Sequence, residues 1–183
     1  MCPSPRLHVV PLTQAWAERV GALEVGPGQD AYVGSPRFNV VNTLADPRSE
    51  GMVVVLGETA IGSYRLDFSP NAITGQRYAA ASVGLRAFLI DRRYQGRGLG
   101  ARAALAMCED LPSRHPDRRV LLLAVHCRNR AAVATYRHAG FIDTGRCLAG
   151  GRAGPQHLML RELHPPRAAV AVAGTHMGQW AHG

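Results

Sequence analysis

Three glycines alternate in the sequence at Gly96, Gly98 and Gly100, between an apolar stretch and an alanine-rich one. Glycine lets the backbone approach a ligand closely and take conformations that a side chain forbids. The alanine-rich stretch predicts a helix, whose first N–H groups lack intrahelical partners and lie at the positive end of its dipole. A loop of free amides at that point suits an anion, above all phosphate. Arg97 and Arg102 add positive charge.

The spacing of these glycines separates the loop from two common phosphate-binding loops. The sequence lacks the G-x-x-x-x-G-K-[ST] pattern of nucleoside triphosphatases. It also departs from the G-x-G-x-x-G pattern of dinucleotide-binding folds. The simpler interpretation is a glycine-rich turn between a strand and a helix that binds nothing.

A second group of residues with chemical potential follows the apolar run Val120–His126, which predicts a strand buried on both faces. Asn129 can cap the next helix, and Gly140 can end it in a left-handed conformation. Tyr136 lies within that helix. A phenol with a pKa of about 10 can donate a proton to a thiolate whose thiol has a pKa of about 8.5. The alternatives are a core tyrosine at 136 and a purely structural helix cap at 129.

Taken together, the two regions resemble the GCN5-related N-acetyltransferase (GNAT) family. The first carries Gln95-x-x-Gly98-x-Gly100 after a strand that ends at Asp91, and the second carries Asn129, Tyr136 and Gly140-Phe141. The resemblance covers residues 82–148. It implies an α/β (α+β) fold with a mixed, mostly antiparallel sheet of about six or seven strands, flanked by about four helices. The sheet would splay between two central strands.

The resemblance also implies roles for individual residues. Acetyl-coenzyme A would lie in the split of the sheet as the cosubstrate, and no metal would be needed. The strand before the glycine loop would pair with the pantetheine arm through its backbone at Phe88, Leu89 and Ile90. The glycine loop would hold the pyrophosphate. Tyr136 would sit beside the thioester sulfur, and Asn129 would contact the pantetheine. The implied cofactor-binding residues are Phe88, Leu89, Ile90, Gln95, Gly96, Arg97, Gly98, Leu99, Gly100 and Asn129.

The general base is less defined by the sequence. No acid lies in Phe88–Ile90, and Ala124 stands where relatives that acetylate peptide termini carry glutamate. His126 has the same strand parity as Ala124, and an imidazole pKa near 6.5 suits a base. His126 is therefore the second catalytic candidate, against the alternative of a polar residue at a strand end. Water-relayed deprotonation is also open, as are the carboxylates Glu24, Asp30 and Asp67.

The acceptor amine is indicated only in part. Gln29–Val33, together with Ile90-Asp91, weakly resembles the bacterial spermine/spermidine acetyltransferase branch. The predicted activity is direct transfer of the acetyl group to a primary amine in a ternary complex, with a polyamine or another small amine as acceptor. A polyamine favours carboxylates at its site, and the chain has only 13 acidic residues. The alternatives are a protein or peptide amine and, in another class, a non-catalytic acyl-coenzyme A sensor or interaction module.

Composition limits the partners. All 21 fixed side-chain cations are arginine, and the formal charge of +8 attracts anions such as coenzyme A. The arginines are dispersed, which argues against a nucleic-acid partner. No apolar run reaches the length of about 20 residues that spans a bilayer, and no signal peptide is evident, so no membrane partner is expected. Four scattered cysteines predict free thiols and a cytoplasmic protein. A homodimer is compatible with the resemblance.

The chain is long enough for one domain, predicted over residues 1–164, followed by a flexible tail, 165–183. A first helix is predicted from the cap residue Thr13 to about Val25. Residues 29–33 predict a short helical turn, and a further helix is expected around residues 39–44. The helix that follows the glycine loop is predicted to run from Leu99 to Leu111 and to end at Pro112.

Overall fold

A computed structural model describes residues 5–78, 80–150 and 154–163. The predicted tail, 165–183, and the predicted domain end at residue 164 lie outside the described residues. Seven strands form one sheet: β1 (Leu7–Pro11), β2 (Ser49–Leu56), β3 (Thr59–Asp67), β4 (Ser82–Ile90), β5 (Val120–His126), β6 (Ile142–Leu148) and β7 (Gln156–Glu162). The helices are α1 (Gln14–Gly21), α2 (Asp30–Val33), α3 (Pro36–Ala45), α4 (Leu99–Arg114) and α5 (Arg130–His138), with a 3-10 turn at Arg92–Tyr94.

The sheet has the order β1-β2-β3-β4-β5-β7-β6, and β4 and β5 are its parallel pair within the described residues. These two strands pair only from Ser82 with Val120 to Leu85 with Leu123. Beyond that point β4 continues to Ile90 and β5 to His126, and the two strands diverge. The predicted fold, with a mixed and splayed sheet and four helices longer than one turn, is confirmed.

The two faces of the sheet are covered by different helices. On one face α4 buries Leu99, Ala103, Met107 and Leu111. The small side chain of Ala103 lets the helix axis approach the strands, and each large apolar side chain buried there contributes about 1.5–3 kcal/mol. On the other face α1 and α3 pack against a second cluster that includes Val20, Val40, Val53, Val55 and Leu89.

A β-bulge interrupts β4 just before the part that leaves the sheet. Ala87 has a φ of 49°, and the register between β3 and β4 shifts between Ser63 and Arg65. A bulge bends its strand and increases the local twist. The bulge therefore sets the direction in which Phe88, Leu89 and Ile90 run along the split.

Two predicted helix ends are wrong. The helix α1 ends at Gly21 rather than near Val25, because Glu24 bonds instead to residues beyond β4: its N–H donates to Asp91 Oδ2 at 3.1 Å, and its carbonyl accepts from the N–H of Arg92 at 2.7 Å. These long-range bonds replace intrahelical ones.

The other wrong end is that of α4, which runs through Pro112 to Arg114. The last turn survives the proline because the N–H of His115 donates to Leu111 at 2.8 Å and Arg114 bonds Asp110 at 2.6 Å. None of the helices in the described ranges is long and apolar enough to cross a membrane.

Candidate active site

A cleft of about 510 Å³ opens where β4 and β5 separate. The end of β4 forms one wall through Phe88, Leu89 and Ile90, and α5 forms the opposite wall from Asn129 to His138. The glycine loop closes one end, and α2 covers another side through Tyr32 and Val33. The splay of the sheet thus creates the space, and residues from four separate segments line it.

The glycine loop presents unpaired amides to this cleft. Gly96 and Gly98 have φ values of 73° and 70°, a left-handed conformation that favours glycine. The first helical bond of α4 runs from the N–H of Arg102 to the Gly98 carbonyl at 3.2 Å. Within the described part of the chain, the amides from Gly96 to Ala101 donate to no protein acceptor. This run of N–H groups at a helix N-terminus is built for an anion.

Gln95 reaches the site through its side chain more than through its backbone. Its N–H is directed at the Arg92 carbonyl at 3.4 Å. Its Nε2 donates to the Ile90 carbonyl at 2.8 Å and also to Gln29. Arg97 lies outside the cleft wall, with its guanidinium 5.9 Å from the ring centre of Tyr94. The other predicted cofactor-binding residues all line the cleft.

Tyr136 lies on the cleft-facing side of α5, which begins at Asn129. The Asn129 Oδ1 accepts the N–H of Ala132 at 3.1 Å, so this residue caps the helix and also lines the cleft. The Tyr136 ring packs 6.0 Å from that of Phe88 and 5.5 Å from that of Phe141. Burial raises the pKa of the Tyr136 phenol well above its ordinary value, because ionisation would place an uncompensated charge in an apolar environment. The hydroxyl therefore stays protonated.

His126 is adjacent to the cleft but does not line it. Its ring is 5.1 Å from the ring of Tyr32, and Tyr32 lines the cleft. The side chain is buried, and its Nε2 lies 3.2 Å from Gln156 Nε2. Its Nδ1 is buried without a hydrogen-bond partner among the described residues. This nitrogen can donate or accept one hydrogen bond, depending on the tautomer, and that capacity is unused among the described residues.

The other candidate bases are less favourably placed. Glu24 forms a salt bridge with Arg92 at 2.6 Å, and Asp67 forms one with Arg86 at 2.9 Å. Asp30 begins α2 and is exposed, and none of the three lines the cleft.

Asp91, at the end of β4, has a structural role. Hydrogen bonds from the Arg93 guanidinium, followed by backbone amides, lower its pKa to about 2. This carboxylate is therefore ionised and fully engaged at neutral pH.

Several cleft residues escaped prediction. They comprise a group on α2 and its cap and a group of small residues on α4 and α5: Gln29, Tyr32, Val33, Ala101, Ala131, Ala132, Ala134, Thr135 and His138. A Cβ added to Gly100 would lie 3.4 Å from Thr135 Cγ2, so the two helices pack closely here. The spacing of small residues along α5 is the signal that points to this contact. The signal for the α2 group is the resemblance of Gln29–Val33 to the spermine/spermidine acetyltransferase branch, which indicates an acceptor element but no individual site residue.

The sequence profile of the "Acetyltransferase (GNAT) family" matches residues 17–141. The chain therefore belongs to the GNAT family of acetyltransferases, as the resemblance implied. A search of the curated proteins gives no match.

Solved structures share the fold at low sequence identity. The aminoglycoside acetyltransferase AAC(6')-Ib in complex with paromomycin and acetyl-CoA superposes with a TM-score of 0.70 and 18% identity, over 85% of this chain and 93% of that one. Spermidine N-acetyltransferase from Vibrio cholerae, with CoA and spermine, gives 0.64 and 16%, over 86% and 95%. An uncharacterized protein from Bacillus halodurans gives 0.71 and 16%, over 86% and 84%.

Proposed function

We propose that the chain transfers the acetyl group of acetyl-CoA directly to the primary amine of a small molecule, in a ternary complex. The family makes the chain an acetyl-CoA-dependent N-acetyltransferase. The observation that carries the proposal is that the glycine loop, which has free amides, and Tyr136 line the same cleft. A diphosphate held at one end therefore places the thioester end of the same molecule toward the tyrosine.

The cofactor is proposed to lie along the free edge of β4. The Asp91 N–H donates to the carbonyl of Ile61 on β3. The Ile90 carbonyl points away from β3 and accepts from the Gln95 side chain. Backbone groups of a strand alternate in this way, so Phe88 shares the cleft-facing direction with Ile90. The pantetheine arm would pair with this edge, and Asn129 would contact it from α5. Arg97 and Arg102 would add charge near the phosphates.

The chemistry then follows from a few groups. The neutral amine attacks the thioester carbonyl, the carbon–nitrogen bond forms and the carbon–sulfur bond breaks. A backbone N–H at the free edge of β4 stabilises the oxyanion. The phenol of Tyr136 donates its proton to the departing thiolate, and the proton lost from the attacking nitrogen restores the phenol through the base or water. No covalent enzyme intermediate is required.

His126 is proposed as the group that accepts the amine proton through a water molecule, because its ring lies beside the cleft without lining it. His126→Ala is expected to lower kcat by about tenfold or more, since a positioned general base contributes at least that factor. Added imidazole should restore part of the rate, because it replaces the lost base in the space vacated by the side chain. The measurement is initial-rate kinetics with and without imidazole. Unchanged turnover in the variant would remove His126 from the mechanism.

The charges around the cleft favour an acceptor with a single amine over a polyamine. No Asp or Glu lines the cleft, and all 13 acidic side chains belong to the described part of the chain. Asp91 and Glu24 are already bonded to arginines, and Asp30, at the start of α2, is exposed to solvent and does not line the cleft. A second ammonium group would therefore lose water without gaining a counter-charge. The +8 charge of the chain adds to this effect.

An amine panel tests the activity and this preference together. Release of free CoA thiol from acetyl-CoA is measured with arylalkyl monoamines, spermidine and kanamycin, and the rate without amine is subtracted. The best monoamine is expected to exceed spermidine in kcat/KM by about tenfold or more, equivalent to about 1.4 kcal/mol for one unpaired charge. A preference for spermidine contradicts the charge argument. Cofactor binding with no thiol release for any amine, peptide amines included, indicates the sensor alternative instead.

A further inference from the structure

We propose that Gln29 is a positioning residue, which makes the placement of α2 depend on the state of the phosphate-binding loop. Through it, cofactor binding at one end of the cleft would order the acceptor side at the other. This proposal rests on the proposed function, since it takes CoA as the occupant of the loop.

The contact between Gln29 and Gln95 is reciprocal. The Gln29 Nε2 donates to Gln95 Oε1 at 3.2 Å, and the Gln95 Nε2 donates to Gln29 Oε1 at 2.8 Å. Gln95 directly precedes Gly96, where the free amides begin, and its Nε2 is also bonded to the Ile90 carbonyl. A movement of the loop amides onto an anion therefore shifts the residue to which Gln29 is bonded.

On the other side, Gln29 controls α2 through its own backbone. It is the N-cap of that helix, and its carbonyl accepts the N–H groups of Tyr32 at 2.9 Å and Val33 at 3.1 Å. The helix has only four residues, too few to hold its shape without tertiary support. Tyr32 and Val33 line the cleft, and Tyr32 packs on His126. A shift of Gln29 would therefore move Tyr32, which packs beside the proposed base His126.

The connection between α1 and α2 is fixed at its start and adjustable at its end. Glu24 is held by Asp91 and Arg92 through both its backbone and its side chain. The Gln29 side chain folds back over Gly26, whose N–H donates to Gln29 Oε1 at 3.0 Å. A Cβ at residue 26 would lie 3.2 Å from the Gln29 Cδ, so glycine gives this side chain its room. Gln29 is therefore the residue through which the connection between α1 and α2 would move together with the glycine loop.

Hydrogen exchange on the full chain with CoA alone tests the proposal without a known acceptor. In the wild type, CoA is expected to slow exchange both in the loop amides, 96–101, and in α2, by about fivefold or more for α2. In Gln29→Leu, which removes the side-chain hydrogen bonds at similar size, loop protection should persist and α2 protection should be lost. Gln29→Glu retains an acceptor for Gln95 and should restore part of the α2 protection.

The matched control is Gln14→Leu, which changes an exposed glutamine at the start of α1 and should transmit protection like the wild type. With an active monoamine, Gln29→Leu should raise the acceptor KM by about fivefold while kcat and the Kd for CoA change less than about twofold. Equal α2 protection in wild type and Gln29→Leu overturns the proposal and leaves the proposed function intact. Failure of CoA to protect the loop in the wild type overturns both.

Discussion

Gly98→Val is expected to weaken CoA binding by about a hundredfold or more. Gly98 has a φ of 70°, and this left-handed conformation costs an ordinary L-residue about 1–2 kcal/mol, with β-branched residues among the least tolerant. Valine shifts the backbone, so the amides from Gly96 to Ala101 cease to converge on one anion. Each hydrogen bond lost to a charged group costs about 1.5–3 kcal/mol, and about 2.8 kcal/mol corresponds to a hundredfold in Kd. Titration calorimetry with CoA measures the change.

Gly75→Val is the matched control for this experiment. Gly75 has a φ of 71°, and an added Cβ meets nothing within 4 Å at either glycine. Both substitutions therefore introduce the same backbone strain, but Gly75 lies outside the cleft. Both variants should lose a similar amount of stability in urea denaturation, and only Gly98→Val should lose affinity. Equal affinities in the two variants would show that the loop does not hold the phosphates.

Tyr136→Phe is expected to lower kcat by about tenfold or more while the Kd for CoA changes less than about twofold. The substitution removes one hydroxyl and keeps the ring contacts with Phe88 and Phe141. A positioned general acid contributes about 10²–10⁴-fold, and water can replace part of this for a thiol leaving group. Steady-state kinetics and calorimetry separate the two effects. A variant that turns over like the wild type would exclude the phenol as the proton donor.

The pH dependence gives a second readout of the same residue. A proton donor loses activity as the pH rises through its pKa, and burial raises the pKa of Tyr136. Deprotonation of Tyr136 should therefore lower the wild-type kcat only above pH 10, the pKa of an ordinary phenol. Tyr136→Phe should show a profile of the same shape at a lower level up to that pH. A decline below pH 9 that disappears in the variant runs against the assignment.

The parts of the site that local rules encode are predictable from sequence. Alternating glycines before an alanine-rich stretch predict the loop and the start of α4, and Asn129 with Gly140 marks both ends of α5. These signals work because a helix cap or a left-handed glycine acts on its immediate neighbours. The near-continuous apolar run of β5 likewise predicts a strand at the centre of the sheet.

The remaining parts depend on contacts between distant residues. Gln29 and Gln95 are separated by 66 positions, and no pattern in either segment specifies the other. The same holds for Tyr32 on His126, and for the bonds from Glu24 to Asp91 and Arg92 that end α1 early. Composition gives the number of acidic residues. Only the fold shows that Glu24 pairs with Arg92 and that Asp91 pairs with Arg93. Long-range polar pairing of this kind is what local propensity omits.

The seam between β4 and β5 has a mechanical consequence. Within the described residues, β4 and β5 pair only over residues 82–85 and 120–123, next to a bond from the Arg119 N–H to the Ala81 carbonyl at 2.8 Å, and the two strands diverge beyond Leu85 and Leu123. A cosubstrate bound along the free edge of β4 would contact both halves of the sheet and hold them together at this point. Because binding to the native state adds its free energy to the folded molecule, the loaded enzyme would resist heat and proteases as well as being ready to react.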